Sequence, residues 1–393
     1  MKILITKLIF FQFINELNLI YPVYILLFLK YGLDAFQISL LLAIWAGSKL
    51  IFEVPTGILA DKFSRRNLIL IGRVLKVWAL MTWLGAGSGF LFGPFWYFAI
   101  GFVLWGLSGA LFSGTFLALV YDELKAYGRE SEYEKVQGWM ITASVSGVAI
   151  ALFLGGFVAE ISYAYVFLVS IASTCIAFGI MLTIKPVQKV QSTEEKNYLK
   201  FLMTAIQKAR KNSYLAQVIL LLVLVTGVYG TVEEFYPFVF SDLGFKEGMT
   251  GLLYSFNFVF ILLGSLVVGY MTSRKGNWES LLALIGGIGF GVLGIGKESI
   301  FLSGIFVAAL AITIFEIRLT NKIQSQIESH ERATILSINS FLSEGFGLLL
   351  FLLFGLITKN YGSFQVITVS GMGIILISIL GITMFGRGKR VAD

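Results

Sequence analysis

Ionisable side chains placed inside long apolar runs are where chemistry could occur in this chain. Glu16, Lys49, Glu53, Glu233, Glu234 and Glu344, together with Asn15, all sit in such runs. At membrane depth a charged group is unfavourable by at least about 2–3 kcal/mol, so each is a candidate for proton coupling or substrate contact. Gln12, Asn15 and Glu16 stand at i, i+3 and i+4, which is one helix face, expected to line a cavity. Ser337, Ser340 and Glu344 repeat the arrangement at i, i+3 and i+7. A carboxylate in so apolar a place suits a group that loads and releases a proton; Glu344 is the first choice for that role and Glu16 the second. Lys49 and Glu53 are four apart and can pair along one face, or Lys49 can reach Glu16 instead. Glu233 and Glu234, beside Tyr229, Phe235 and Tyr236, suit a cationic amphiphile through charge attraction and cation–π contact. Adjacent residues point about 100° apart, so one of the two faces inward squarely, and Glu233 is preferred. The competing explanation is a hydrogen bond that serves only helix packing for Glu16 and Glu344, a purely structural pairing for Lys49 and Glu53, and ordinary solvation in the outer part of the span for Glu233 and Glu234.

Other chemistries find no residues to carry them. Cys175 is the one cysteine and His330 the one histidine, so a Cys/His metal set and His-centred acid–base catalysis are not expected. The chain has no G-x4-G-K-[ST] loop for ATP. No cofactor is implied, and an enzyme is not the expected class.

The elements that must position these groups follow from composition. Of 393 residues, 57% are hydrophobic and 13% charged, with 42 glycines and 36 phenylalanines; the mean hydropathy is +0.85. That composition excludes a soluble enzyme and a disordered chain. A helix needs about 20 apolar residues to cross a bilayer. Twelve such runs occur, at about 4–29, 37–60, 67–88, 94–123, 134–160, 163–184, 214–240, 249–272, 278–296, 299–321, 333–358 and 362–386. The fold class expected is an all-α membrane protein of twelve transmembrane helices in two six-helix bundles, 1–184 and 214–393. A basic linker, 185–213, joins them and carries Lys185, Lys189, Lys196, Lys200, Lys208, Arg210 and Lys211.

Charge placement orients the chain. With cytoplasmic termini, 24 of the 30 Lys and Arg residues fall inside or at inner helix ends, four fall outside, and Lys49 and Arg318 lie within spans. The positive-inside rule therefore predicts cytoplasmic termini in the cell membrane. The net charge of +7 then reflects topology and contact with anionic lipid, with no need for a nucleic-acid partner.

Between the second and third spans the chain reads Gly57-Ile-Leu-Ala-Asp61-Lys62-Phe-Ser-Arg65-Arg66. This resembles the signature loop of the major facilitator superfamily, G-x-L-A-D-[RK]-x-G-R-[RK], with Ser64 in place of the second glycine. The resemblance covers the whole chain and implies a secondary transporter with two halves, working by alternating access on a small molecule, expected as a monomer. It assigns Gly57, Asp61, Lys62, Arg65 and Arg66 to an inner gate, to which the spacing adds Arg73 of span 3 and Asp122 of span 4 as a charge cluster. The equivalent loop of the second half, Gly269 to Gly276, keeps Arg274 and Lys275 but lacks the aspartate. Glu316 and Arg318 face opposite sides of span 10 and are expected to snorkel. In span 5, Gly138, Gly147, Gly155 and Gly156 match four of six positions of a glycine pattern found in proton-coupled exporters, with Ala151 and Leu152 in place of its Gly-Pro pair. The expected function is proton-coupled export of a small amphiphilic or cationic compound, a drug, peptide or metabolite; proton-coupled nutrient uptake or uniport is the alternative, and a membrane protein that binds without transporting ranks behind both.

The topology has a direct check. Cysteines introduced at Lys196 and at Lys359 should be labelled by an impermeant reagent from opposite faces of the membrane. Labelling of both from outside would overturn the topology.

Overall fold

A computed structural model describes residues 2–88, 93–185, 213–271, 278–291, 298–325 and 332–388. The linker lysines beyond Lys185, Arg274 and Lys275 lie outside the described residues, as do the side chains of Ser337 and Ser340. Hydrocarbon offers the backbone no hydrogen-bond partners, so a spanning segment must satisfy its own amides, and helices do this. Fourteen α-helices result among the described residues: α1 Lys2–Glu16, α2 Tyr24–Lys30, α3 Ala35–Lys62, α4 Arg65–Gly85, α5 Pro94–Ala126, α6 Tyr133–Ile161, α7 Tyr163–Leu182, α8 Ser213–Glu233, α9 Tyr236–Asp242, α10 Glu247–Met271, α11 Glu279–Gly291, α12 Glu298–Ser325, α13 Arg332–Tyr361 and α14 Ser363–Gly388. Ten of these regions contain a stretch long and apolar enough to cross a membrane. Of the twelve apolar runs, the exceptions are the first, which is split into α1 and α2, and the ninth, where the described helix α11 has 13 residues.

The described residues form two compact units, one of residues 1–195 with 245–255, the other of 196–244 with 256–393. In the first unit α4 packs along α5, with Gly72 letting the axes approach: a Cβ there would lie 3.3 Å from the Ser108 carbonyl oxygen. Trp83 donates its indole N–H to the Phe98 carbonyl at 3.1 Å and sits among Phe28, Phe98 and Phe102. Helix α3 starts in a capping box, Asp34 accepting from the Gln37 amide and Gln37 from the Asp34 amide. Pro55 inside α3 withholds one backbone N–H; the following Thr56 ties α3 to α5 through its hydroxyl, 3.0 Å from the Ala110 carbonyl oxygen.

The first run is not one helix, contrary to the continuous span read over 4–29. It stops at Glu16, and the chain from Leu17 to Val23 is irregular before α2 resumes. The freed backbone groups find partners locally. Asn18 donates its side-chain amide to the Asn15 carbonyl at 2.7 Å and its backbone N–H to the Glu16 carbonyl at 2.8 Å. Tyr21, Val23 and Tyr24 amides close turns on Asn18 and Ile20, around Pro22, which has no amide to satisfy. Helix α6 seats this break. A Cβ on Gly147 would come within 2.5 Å of the Phe13 carbonyl oxygen, and one on Gly155 would collide with the Leu19 carbonyl.

The second unit repeats the device. Its first run ends as α8 at Glu233, turns through Glu234 and Phe235, and resumes as α9, with Pro237 in its first turn. Both short helices have seven residues, follow a Tyr-Pro pair (Tyr21-Pro22) or start with one (Tyr236-Pro237), and are followed by a glycine with positive φ, Gly32 at 79° and Gly244 at 78°. Elsewhere in this unit α8 lies against α13, where Gly227 faces the Phe346 ring and Gly347 the Thr231 hydroxyl.

The seating of the break gives a paired test. Gly155→Leu should destabilise the purified protein by about 1–3 kcal/mol through overpacking, read as a lower midpoint of thermal unfolding. Gly138→Leu, in the same helix but with nothing within 4 Å of its Cβ position, should leave the midpoint unchanged or raise it.

Candidate functional site

Each unit gathers polar side chains around its helix break. In the first, Glu16 is the last residue of α1, at the helix end where unpaired carbonyls concentrate negative charge. Asn15 donates to one of its carboxylate oxygens at 2.8 Å and the Tyr21 hydroxyl to the other at 3.4 Å. Arg73 of α4 donates to the Asn15 side-chain oxygen through Nη1 and to Ser108 Oγ at 3.5 Å through Nη2, with its guanidinium 4.7 Å from the Phe112 ring centroid. Lys76, one turn on from Arg73, lies over Trp105 and 5.4 Å from the Tyr21 ring centroid. Arg73 and Lys76 are 6% and 5% exposed.

This arrangement corrects three expectations. Arg73 does not join Asp122 and Asp61 in an inner cluster: eight residues after Arg65, it lies about 12 Å further along α4 at 1.5 Å per residue. Nor are Arg73 and Lys76 inner-end charges, being the ninth and twelfth residues of a 21-residue helix; setting them aside leaves the basic asymmetry at 22 to 4. Nor does Lys49 reach Glu16, whose carboxylate accepts from Asn15 and Tyr21; the buried cations of that cluster are Arg73, tied to Asn15, and Lys76, facing the Tyr21 ring. Lys49 and Glu53 lie half-buried on α3, Lys49 at the crossing with Gly106 of α5.

The loop residues act one layer away. Arg65 pairs with Asp122 near the end of α5 and donates to the Ala118 carbonyl at 3.1 Å. Arg66 caps the end of α7, donating to the Met181 and Leu182 carbonyls at 3.1 and 2.7 Å, where a cation is favoured by the helix dipole. Asp61 and Lys62 are exposed in the last turn of α3 and Gly57 is half-buried one turn earlier.

In the second unit, Glu233 is the last residue of α8 and accepts from the Asn257 side-chain amide of α10 at 2.7 Å. The Tyr229 and Tyr236 rings lie beside it, and Glu234 follows in the break. Glu344 sits half-buried in the middle of α13, a turn before Gly347, which faces Thr231 of α8. Arg318 does not snorkel: it donates to Glu279 at the start of α11 at 3.1 Å, and Lys322 reaches the second oxygen of Glu279 at 2.9 Å. Sequence reading passed over Glu279, Asn257, Lys76 and Trp105. Glu279 fell at the edge of a run, Lys76 was counted as a topology charge, and Asn257 and Trp105 carry no local pattern. The two units thus place an ion pair at matching helix ends with opposite polarity, cation on α4 and acid on α5 in one, acid on α11 and cations on α12 in the other.

With the geometry in place, comparison with known proteins is informative. The Major Facilitator Superfamily model matches residues 8–350. The uncharacterized MFS-type transporter YxaM of Bacillus subtilis (strain 168) is 22% identical over 352 residues, covering 87% of this chain and 85% of that protein. An uncharacterized transporter of Buchnera aphidicola subsp. Acyrthosiphon pisum is 26% identical over 332 residues, covering 81% and 82%. Among solved structures, that of the nucleoside transporter NupG superposes with a TM-score of 0.74 at 13% identity over 97% of this chain and 99% of that one. A D-xylose-proton symporter gives 0.72 at 15% over 96% and 95%. At these identities the structural likeness is one of fold.

The unexpected ion triad can be tested on its own. Glu279→Ala leaves two cations facing a buried vacancy and should destabilise by on the order of 3 kcal/mol, the lower end for a buried pair because Lys322 is partly solvated. Adding Arg318→Met and Lys322→Met should recover most of the loss in thermal unfolding. A triple variant no more stable than Glu279→Ala would mean the three charges do not act on one another.

Proposed function

Because the chain belongs to the Major Facilitator Superfamily and is a multi-pass membrane transporter, we propose that it moves a small molecule by alternating access, coupled to protons, with Glu233 as the residue that carries the proton. The observation behind this reading is the repeated break: in each unit the first run stops at a glutamate, Glu16 or Glu233, that forms the carboxyl end of a half-helix. Interrupted spans at corresponding positions of two repeats mark substrate and ion sites in transporters, and half-helix carboxyl ends attract cations and protons. In the first unit the cations at that end are side chains, Arg73 and Lys76. In the second, a neutral amide, that of Asn257, donates to the carboxylate and can support it in either protonation state. That difference favours Glu233 over Glu16, and its place at the break favours it over Glu344, which lies within a continuous helix.

Export of a cationic amphiphile retains one support, the Glu233, Glu234 and Tyr229 grouping. The glycines of α6 no longer argue for export, since Gly147 and Gly155 are used in seating the first break. Uptake in symport with protons draws on the same geometry. We place the protein in the cell membrane with cytoplasmic termini, on the asymmetry of basic residues, and as a monomer.

Proteoliposomes with an imposed pH gradient test the coupling across a panel of cationic, neutral and anionic compounds, and the sign of the flux gives the direction. Glu233→Gln should abolish gradient-driven accumulation while downhill exchange survives. Glu344→Gln should retain accumulation. The reverse outcome would move the coupling role to Glu344.

A further inference from the structure

We infer that the Arg73–Lys76 pair of the first unit is a binding site for an anionic group, a carboxylate or a phosphate, on the transported molecule. This rests on the transport reading above and adds the chemical class of the cargo to it. Two cations and one carboxylate belong to this cluster: Glu16 accepts from Asn15, which in turn accepts from Arg73, and from Tyr21, whose ring Lys76 faces. Both carboxylate oxygens of Glu16 already accept hydrogen bonds, from Asn15 and Tyr21, so that group is held in place by neutral donors. Arg73 has a structural task in tying α4 to Asn15 at the break and to Ser108 of α5, yet its Nε has no partner. Lys76 has no such task. Among the described residues its ammonium meets only ring faces, those of Trp105 and Tyr21, and no hydrogen-bond acceptor.

A lysine kept at the middle of a membrane helix without an acceptor is the feature that packing alone leaves unexplained. Methionine or leucine would fill the same space without a charge to desolvate. Arg73 and Lys76 are at i and i+3 and so share a face, which places two cationic groups side by side. An arginine fork with an unused N–H beside an ammonium with unused donors is complementary to a carboxylate or phosphate oxygen pair. The stacked Trp83 and Trp105 rings, 5.2 Å apart, give the ammonium a fixed aromatic support that takes none of its hydrogen-bond donors to an oxygen acceptor. The cation-directed grouping at Glu233 belongs to the other unit, so the two units differ in the charge they favour.

The experiment uses the full-length protein in detergent at constant ionic strength and reads tryptophan fluorescence, because Trp105 touches the ammonium. The probes are benzoate for the carboxylate arm, phenyl phosphate for the phosphate arm, and benzylammonium and benzyl alcohol as cationic and neutral controls. At least one anion should give a saturable change that neither control gives and that Trp105→Phe removes. Lys76→Gln should weaken that anion by about tenfold or more, while Lys76→Arg retains it. Thermal unfolding of Lys76→Gln close to that of the unmodified protein confirms that the loss is local; if Lys76→Gln proves unstable, Lys76→Met takes its place. The inference is overturned if neither anion responds, if a control responds as well as the anions, or if the response survives loss of the lysine charge. Binding is read here without a gradient, so failure of this test leaves the coupling role of Glu233 standing, and failure of coupling leaves the anion site standing.

Discussion

A membrane helix that stops partway must find partners for the carbonyls and amides it frees, because lipid supplies none. That constraint organises both units. At the first break Asn18 turns back on Asn15 and Glu16, and Pro22 removes one amide that would otherwise need an acceptor. The exposed carboxyl end of α1 then holds a carboxylate, which would be doubly unfavourable without the guanidinium of Arg73 and the amide of Asn15 beside it. Gly72 brings α4 close enough to α5 for Arg73 to reach Ser108, and Gly147 brings α6 close enough to support the chain at Phe13. Side chains that look independent in the sequence are therefore answers to one backbone problem.

The second unit answers the same problem with different chemistry. Asn257, a neutral donor, reaches Glu233 from another helix, whereas at the first break Arg73 is tied to Asn15 beside Glu16. Its helix-end ion pairs run with reversed sign, Glu279 on α11 against Arg318 and Lys322 on α12, whereas the first unit sets Arg65 on α4 against Asp122 on α5. A fold repeated twice has kept the positions of its polar devices and changed their charges.

Much of the architecture was legible because it rests on hydropathy, which is a property of local composition. Apart from the broken seventh run and the ninth, described over 13 residues, the runs from Ala35 onward appear as helices near the predicted limits, and the Gly57 to Arg66 segment joins the second and third of them through Phe63 and Ser64. The breaks were hidden for a physical reason: residues 17–23 are mostly apolar and aromatic like their flanks, the second break is only Glu234 and Phe235 long, and the hydrogen bonds that permit them come from Asn18 and local turns. Depth was misjudged for Arg73 and Lys76, since a cation early in a span reads as an anchor until its partners on other helices are known. Glu279 was missed because its partners are 39 and 43 positions away in the chain. Ion pairs between helices leave no signature in either helix alone.

The central claim is that the carboxylate closing the second half-helix gains and loses the transported proton. Infrared difference spectroscopy of the protein in lipid, stepped through pH, observes that event through the carbonyl stretch of a protonated carboxylic acid. The account predicts one such band that disappears as pH rises and is missing from Glu233→Gln but present in Glu344→Gln. A titrating band that persists in Glu233→Gln, or the lack of any such band in the unmodified protein, would contradict it.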